Sequence, residues 1–60
     1  MQDFTDKLVV ITGAAGGVGR SLAIAMAEAG ARVLAADIDE VGLEETKAAL
    51  DATGATSYIR

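Results

Sequence analysis

The stretch Thr12-Gly13-Ala14-Ala15-Gly16-Gly17-Val18-Gly19 packs four glycines into eight residues. It follows the apolar run Leu8-Val9-Val10-Ile11 and precedes a helix-patterned segment that starts near Val18. A continuous β-branched run suits a strand covered on both faces, as in a parallel sheet. Strand, glycine turn and helix in immediate succession make the glycines a phosphate cradle rather than a loose loop.

The rest of the chain repeats the alternation. From Val18, the apolar positions Val18, Leu22, Ala25, Met26 and Ala29 keep near-helical spacing, and Gly30 offers a left-handed cap. Arg32-Val33-Leu34-Ala35-Ala36 reads as a second buried strand, ending at Asp37. Asp39 is placed to cap a second helix, with Glu40, Glu44 and Glu45 near its positive end. Leu43 and Leu50, with Val41, Ala48 and Ala52, supply that helix with an apolar face, and Lys47 can pair with Glu44. Gly42 weakens it by up to about 1 kcal/mol relative to Ala, and Gly54 ends it. Thr56 to Arg60 begins a third strand.

The order β-α-β-α-β predicts an α/β fold, the N-terminal half of a Rossmann-like doubly wound parallel sheet. Right-handed crossovers put the strands in the order 3-2-1 with both helices on one face. Residues 1–60 then form the N-terminal part of one domain. The sheet face opposite Val9, Ile11, Val33 and Ala35 has no cover, and the first strand has an open edge. A second half would supply both, since a small uncovered sheet is marginal. The alternatives are a self-contained mini-domain or an obligate oligomer.

Composition removes whole classes of chemistry. With no Cys and no His among 60 residues, thiol nucleophiles, disulfides, imidazole bases and the usual zinc ligands are excluded. No carboxylate pair has a suggestive metal spacing, so no metal site is expected. The net charge of −4 and the lack of a basic run argue against nucleic acid. Met1-Gln2-Asp3-Phe4-Thr5-Asp6-Lys7 lacks the basic and apolar regions of an export signal. No apolar stretch is long enough to span a bilayer. A soluble, cytoplasmic protein is expected.

A pyrophosphate needs backbone N–H groups at close range, and a helix N-terminus supplies them with a favourable dipole. Gly13 suits the tight turn out of the strand, Gly17 the backbone approach, and Gly19 close packing of helix on sheet. Asp37, about 20 residues beyond Gly17, stands where a dinucleotide site takes a carboxylate for its ribose hydroxyls. The competing readings are an ordinary glycine loop and, for Asp37, a helix or turn cap. The pattern is not G-x-G-x-x-G, because Leu22 occupies the third glycine position counted from Gly17.

What the turn does match is T-G-x-x-x-G-x-G. The whole chain resembles the short-chain dehydrogenase/reductase family. Phe4 and Lys7 resemble its lead-in, Ile11 to Arg20 its cofactor turn, Ala27 to Val33 the end of its first helix. Ala36-Asp37-Ile38-Asp39 is similar to the second-strand terminus of its NAD-using members. Because Gly16 and Gly17 are both glycine, the stretch also reads T-G-x-x-G-x-x-G, the pattern of the extended branch. The small-residue helix after Gly19 and the run from Asp37 to Glu40 resemble the compact branch instead. Gly16 departs from the Ser or basic residue frequent there.

The resemblance implies cofactor-binding roles for Thr12, Gly13, Gly16, Gly17, Val18, Gly19, Asp37 and Ile38. Ile38 would line an adenine pocket, or equally belong to the core. NAD is expected over NADP, because a 2′-phosphate would face Asp37. Two unit charges about 4 Å apart repel by roughly 4 kcal/mol at an effective dielectric near 20. Gly16 and Ile38 occupy positions where NADP-preferring members carry a cation, although Arg20 could still approach a phosphate. The family's catalytic Tyr, Lys, Ser and Asn belong to the second half of the domain, so no catalytic residue is assigned here. Tyr58, Ser21 and Ser57 read as structural.

The parent protein would be an NAD(P)-dependent oxidoreductase moving hydride between nicotinamide and an alcohol or ketone, as a homo-oligomer without membrane or nucleic-acid partners. The 60 residues alone would be inactive. The alternatives are a non-catalytic, redox-sensing dinucleotide module and an extended-branch sugar-nucleotide epimerase or dehydratase.

Overall fold

The computed structural model describes residues 4–60. The start of the leader stretch, Met1 to Asp3, lies outside the described residues. Five elements follow in order: β1 (Leu8–Thr12), α1 (Gly17–Glu28), β2 (Arg32–Ala36), α2 (Glu40–Ala52) and β3 (Ser57–Ile59). The strands form one parallel sheet in the order β1-β2-β3, with β2 in the centre. Val9 faces Val33, and Val33 faces Ser57 across the next pair.

Strand alternation sorts the side chains. Ile11, Val33 and Ala35 are buried on one face, with Val9 packed beside them. Leu8, Val10 and Tyr58 are each about half exposed on the other face, at 52%, 56% and 50%. Both helices contact the sheet and each other, so both lie on the first face. No helix among the described residues is long and apolar enough to cross a membrane.

The helix ends obey local rules. The Gly30 N–H donates to the Ala27 carbonyl (3.0 Å) and the Ala31 N–H to that of Met26 (3.1 Å). This is the paired closure of a Schellman cap, and the buried Ala31 carries the chain into β2. Asp39 caps α2, its Oδ1 accepting from the Gly42 N–H at 3.0 Å. Such a cap contributes about 1 kcal/mol. Only Glu40 of the three expected acids lies in the first turn of α2.

The helix faces follow the apolar spacing only in part, with Leu43 and Leu50 buried as expected. In α1 the buried residues are Ala23 and Ala27, flanked by the partly buried Ile24 and Met26. Val18 is 85% exposed, and Leu22 and Ala25 also face outward. The helix seats on its smallest side chains because methyl groups let its axis approach the sheet closely. In α2 the buried stripe is Gly42, Leu43, Thr46 and Leu50, whereas Val41, Ala48 and Ala52 are exposed. Lys47 pairs with Asp51 at 2.6 Å and reaches Ser57 at 2.9 Å, not Glu44. The link ties α2 to the start of β3.

Gly42 is more than a weak point in α2. A Cβ there would meet Asp39 Oδ2 at 2.7 Å, the Ala15 carbonyl oxygen at 2.8 Å and Ala15 Cβ at 2.9 Å. Helix α2 therefore lies directly against the glycine turn. Helix propensity alone predicts that Gly42→Ala stabilises by about 1 kcal/mol. Packing predicts a loss of about 1–3 kcal/mol instead. We expect the loss, read as a lower urea midpoint for the complete protein.

Candidate functional site

The parallel strands end together, and the β1–α1 turn rises from that edge. Thr12 closes β1, and Gly13 turns the chain away at φ +67°. Ala14 points inward and is fully buried, its N–H donating to the Ala36 carbonyl at 3.1 Å. Ala15 is buried too, and its N–H donates to Asp37 Oδ2 at 3.0 Å. Gly16 is the extended N-cap residue of α1 and has no side chain with which to cap.

Gly17, at φ +57°, begins the helix with Val18 and Gly19. The Arg20 amide, bonded to the Gly16 carbonyl at 3.2 Å, is the first to find a partner along the helix. The amides of Gly17, Val18 and Gly19 precede it, as donors at the positive end of the helix dipole. No acid in the first turn competes for them. A Cβ on Gly19 would sit 2.0 Å from the Gly13 carbonyl oxygen. Its absence lets the helix start close on the turn itself, rather than on the body of the sheet.

Asp37 stands at the end of β2. Its Oδ1 accepts from the Asp39 N–H at 3.0 Å, while its Oδ2 accepts from Ala15. These bonds, Asp39 first and Ala15 second, hold its carboxyl below the ordinary aspartate range. Each oxygen keeps a further acceptor direction. Asp37 thus acts as a turn cap, and retains lone pairs for a ligand's hydroxyls.

The cleft beyond the strand ends is lined by Thr12, Gly13, Ala36, Asp37, Ile38 and Arg60. Open α/β sheets bind ligands in such a crevice. Thr12, Gly13, Asp37 and Ile38 of the expected site residues meet there. Gly16, Gly17, Val18 and Gly19 do not line it; they form the start of α1. Ile38 is 100% exposed and lies outside the core cluster of buried residues. Arg60 was not among the expected lining residues; its place just after β3, beside Ala35 and Asp37 in the backbone ladder, brings it in.

Arg20 does not project toward a phosphate. Its Nε donates to Thr46 Oγ1 at 2.8 Å, and its Nη2 contacts the carbonyls of Ala15 and Gly42 and Glu45 Oε1. Thr46, fully buried, also bonds the Ala14 carbonyl at 2.6 Å. Neither role was read from the sequence. Two signals pointed that way. Thr46 falls on the Leu43–Leu50 stripe as a lone hydroxyl, and Arg20 is a cation in a first turn where the dipole disfavours it.

Asp37 has a lowered folded pKa, so its stabilisation is present above the ordinary aspartate value of about 3.9. It is lost as pH falls through the lower folded value. We expect Asp37→Asn to flatten part of the acid limb of stability below about pH 4, measured by urea unfolding across pH.

Comparison with known proteins places these features in a family. The family model described as short chain dehydrogenase matches residues 7–60. Probable oxidoreductase EphD of Mycobacterium tuberculosis is 44% identical over 55 residues, covering 92% of this chain and 9% of that protein. A short chain dehydrogenase/reductase from Burkholderia phymatum, solved with NAD, superposes at TM-score 0.91 with 40% identity. The match covers all of this chain and 21% of that one. An Agrobacterium tumefaciens structure with bound NADP superposes at TM-score 0.88 with 26% identity, over 97% of this chain and 23% of its own. The chain thus spans between 9% and 23% of the length of these three proteins.

Proposed function

The chain belongs to the short-chain dehydrogenase family, and on that premise we propose that it holds the adenosine and pyrophosphate part of a nicotinamide dinucleotide, NAD in preference to NADP. One observation carries the reading. The Asp37 carboxylate stands at the end of β2, bonded to the glycine turn, with acceptor capacity left over beside an open cleft.

The donor set fits such a ligand. The amides of Gly17, Val18 and Gly19 supply N–H groups where a pyrophosphate carries charge. Nothing lies within 4 Å of a Cβ built on Gly16 or Gly17, so an anion can approach the backbone there. Thr12 and Gly13 form the wall at the end of β1, and Ile38 offers an exposed apolar surface to an adenine ring. Asp37 accepts from the ribose hydroxyls and repels a 2′-phosphate. The guanidinium of Arg20 is engaged by α2 and does not offset that repulsion.

When bound, the nicotinamide supplies hydride chemistry, and the parent protein interconverts an alcohol and a ketone. This segment contributes binding and orientation. We place it as the N-terminal part of one larger doubly wound domain, on the 3-2-1 side of the complete sheet. Support comes from the half-exposed Leu8, Val10 and Tyr58, which a second half would cover, and from the small share of its relatives that the chain spans.

The test is equilibrium binding of NAD and NADP to the complete protein. Asp37→Ala should weaken NAD by about tenfold or more, the loss of hydrogen bonds to a charged acceptor. Its preference for NAD over NADP should shrink in parallel. Unchanged binding of both cofactors would overturn the assignment.

A further inference from the structure

We infer that Arg20 and Thr46 are positioning residues for the dinucleotide site, holding the carbonyls of the glycine turn away from the bound phosphates; this rests on the binding reading above. The turn from Gly13 to Gly19 contains no polar side chain. Its two central peptide units are held from outside. The Ala14–Ala15 unit is gripped at both ends: Thr46 Oγ1 donates to the Ala14 oxygen at 2.6 Å, and Asp37 accepts from the Ala15 N–H at 3.0 Å. The Ala15–Gly16 unit is gripped at its oxygen by the Arg20 guanidinium.

A trans peptide points its carbonyl and its N–H in opposite directions. Drawing the Ala15 oxygen toward α2 therefore directs the Gly16 N–H away from α2. Released, the same unit can rotate, and a carbonyl can face an incoming anion. That would replace attraction with repulsion at the place where charge is to be bound.

The clamp is a connected network. Arg20 Nε donates to Thr46 Oγ1 at 2.8 Å, which leaves the single Thr46 proton for the shorter of its two acceptors, the Ala14 oxygen. Arg20 Nη2 also reaches the Gly42 carbonyl at 3.0 Å and Glu45 at 3.1 Å. Thr46 is fully buried, and its hydroxyl both accepts and donates a hydrogen bond. Arg20 needs its fork for this arrangement. A lysine ammonium carries the charge but cannot present Nε and Nη2 donors in fixed geometry.

The test uses the complete protein with Thr46→Val, Thr46→Ser, Arg20→Lys and the Thr46→Val/Arg20→Lys double variant. Calorimetric titration with NAD and with NADP reads affinity and stoichiometry separately. A clamp predicts that Thr46→Val and Arg20→Lys each raise Kd by about tenfold, one hydrogen bond's worth in a coupled site. The rise should be similar for NAD and NADP, at unchanged stoichiometry. Thr46→Ser should restore binding, and the double variant should lose less than the sum of the singles.

Unchanged Kd in both single variants overturns the inference. So does a selective loss of NADP in Arg20→Lys with Thr46→Val unaffected, which would make Arg20 a phosphate ligand. A fall in stoichiometry at unchanged Kd also overturns it, because that is a folding defect alone. If Thr46→Val does not fold, Arg20→Lys against Thr46→Ser carries the same comparison. Failure of the wild-type protein to bind either cofactor would instead overturn the binding reading itself.

Discussion

A backbone built to meet an anion at close range must shed its side chains, and then has none with which to hold its own shape. The turn from Gly13 to Gly19 meets this constraint with side chains borrowed from elsewhere. Asp37 reaches in from the end of β2, Thr46 from the middle of α2, and Arg20 folds back from the first turn of α1. Three elements, α1, β2 and α2, thus contribute to fixing it. The sheet supplies the Ala36 carbonyl that receives the Ala14 amide. Gly42 lets α2 come near enough for Thr46 and the Gly42 carbonyl to take part.

The same side chain serves two ends of the site. Asp37 bonds the turn through Ala15 and the β2–α2 loop through Asp39. The region proposed for ribose and the region proposed for pyrophosphate are thus joined by one carboxylate. Its lowered pKa has the same origin, since both backbone donors favour the charged form. An acid inside a site proposed to bind an anion is tolerable because its charge is already directed at amides.

Much of this was legible in the sequence. The strand limits of β2, the Asp39 cap, the closures at Gly30 and Gly54 and the five-element order follow from local residue chemistry. So does the family, through the turn between Thr12 and Gly19. The helix faces were legible only in part: Leu43 and Leu50 are buried on α2, as the spacing predicts. In α1 apolar spacing favours Val18, Leu22 and Ala25, yet the small Ala23 and Ala27 occupy the contact, because closeness to the sheet outweighs side-chain size. Gly42 read as a propensity cost, since propensity is local and its neighbours Asp39 and Ala15 come from a tertiary approach. Arg20 and Thr46 lie 26 residues apart, a pairing that no period or motif encodes.

The alanine seat of α1 has a mechanical meaning. Ala23 and Ala27 sit at the centre of the helix–sheet contact, where a methyl group has little freedom to absorb a change. Ala27 lies about 15 Å along the axis from Gly17, at 1.5 Å per residue. The helix is stiff over that length and is joined at its first turn to the glycines. An extra methylene beneath its far end would lift it like a lever pivoting on the turn. The donors at the helix start would swing while every residue lining the cleft stayed the same. Packing far from any ligand would then register as a change in aim.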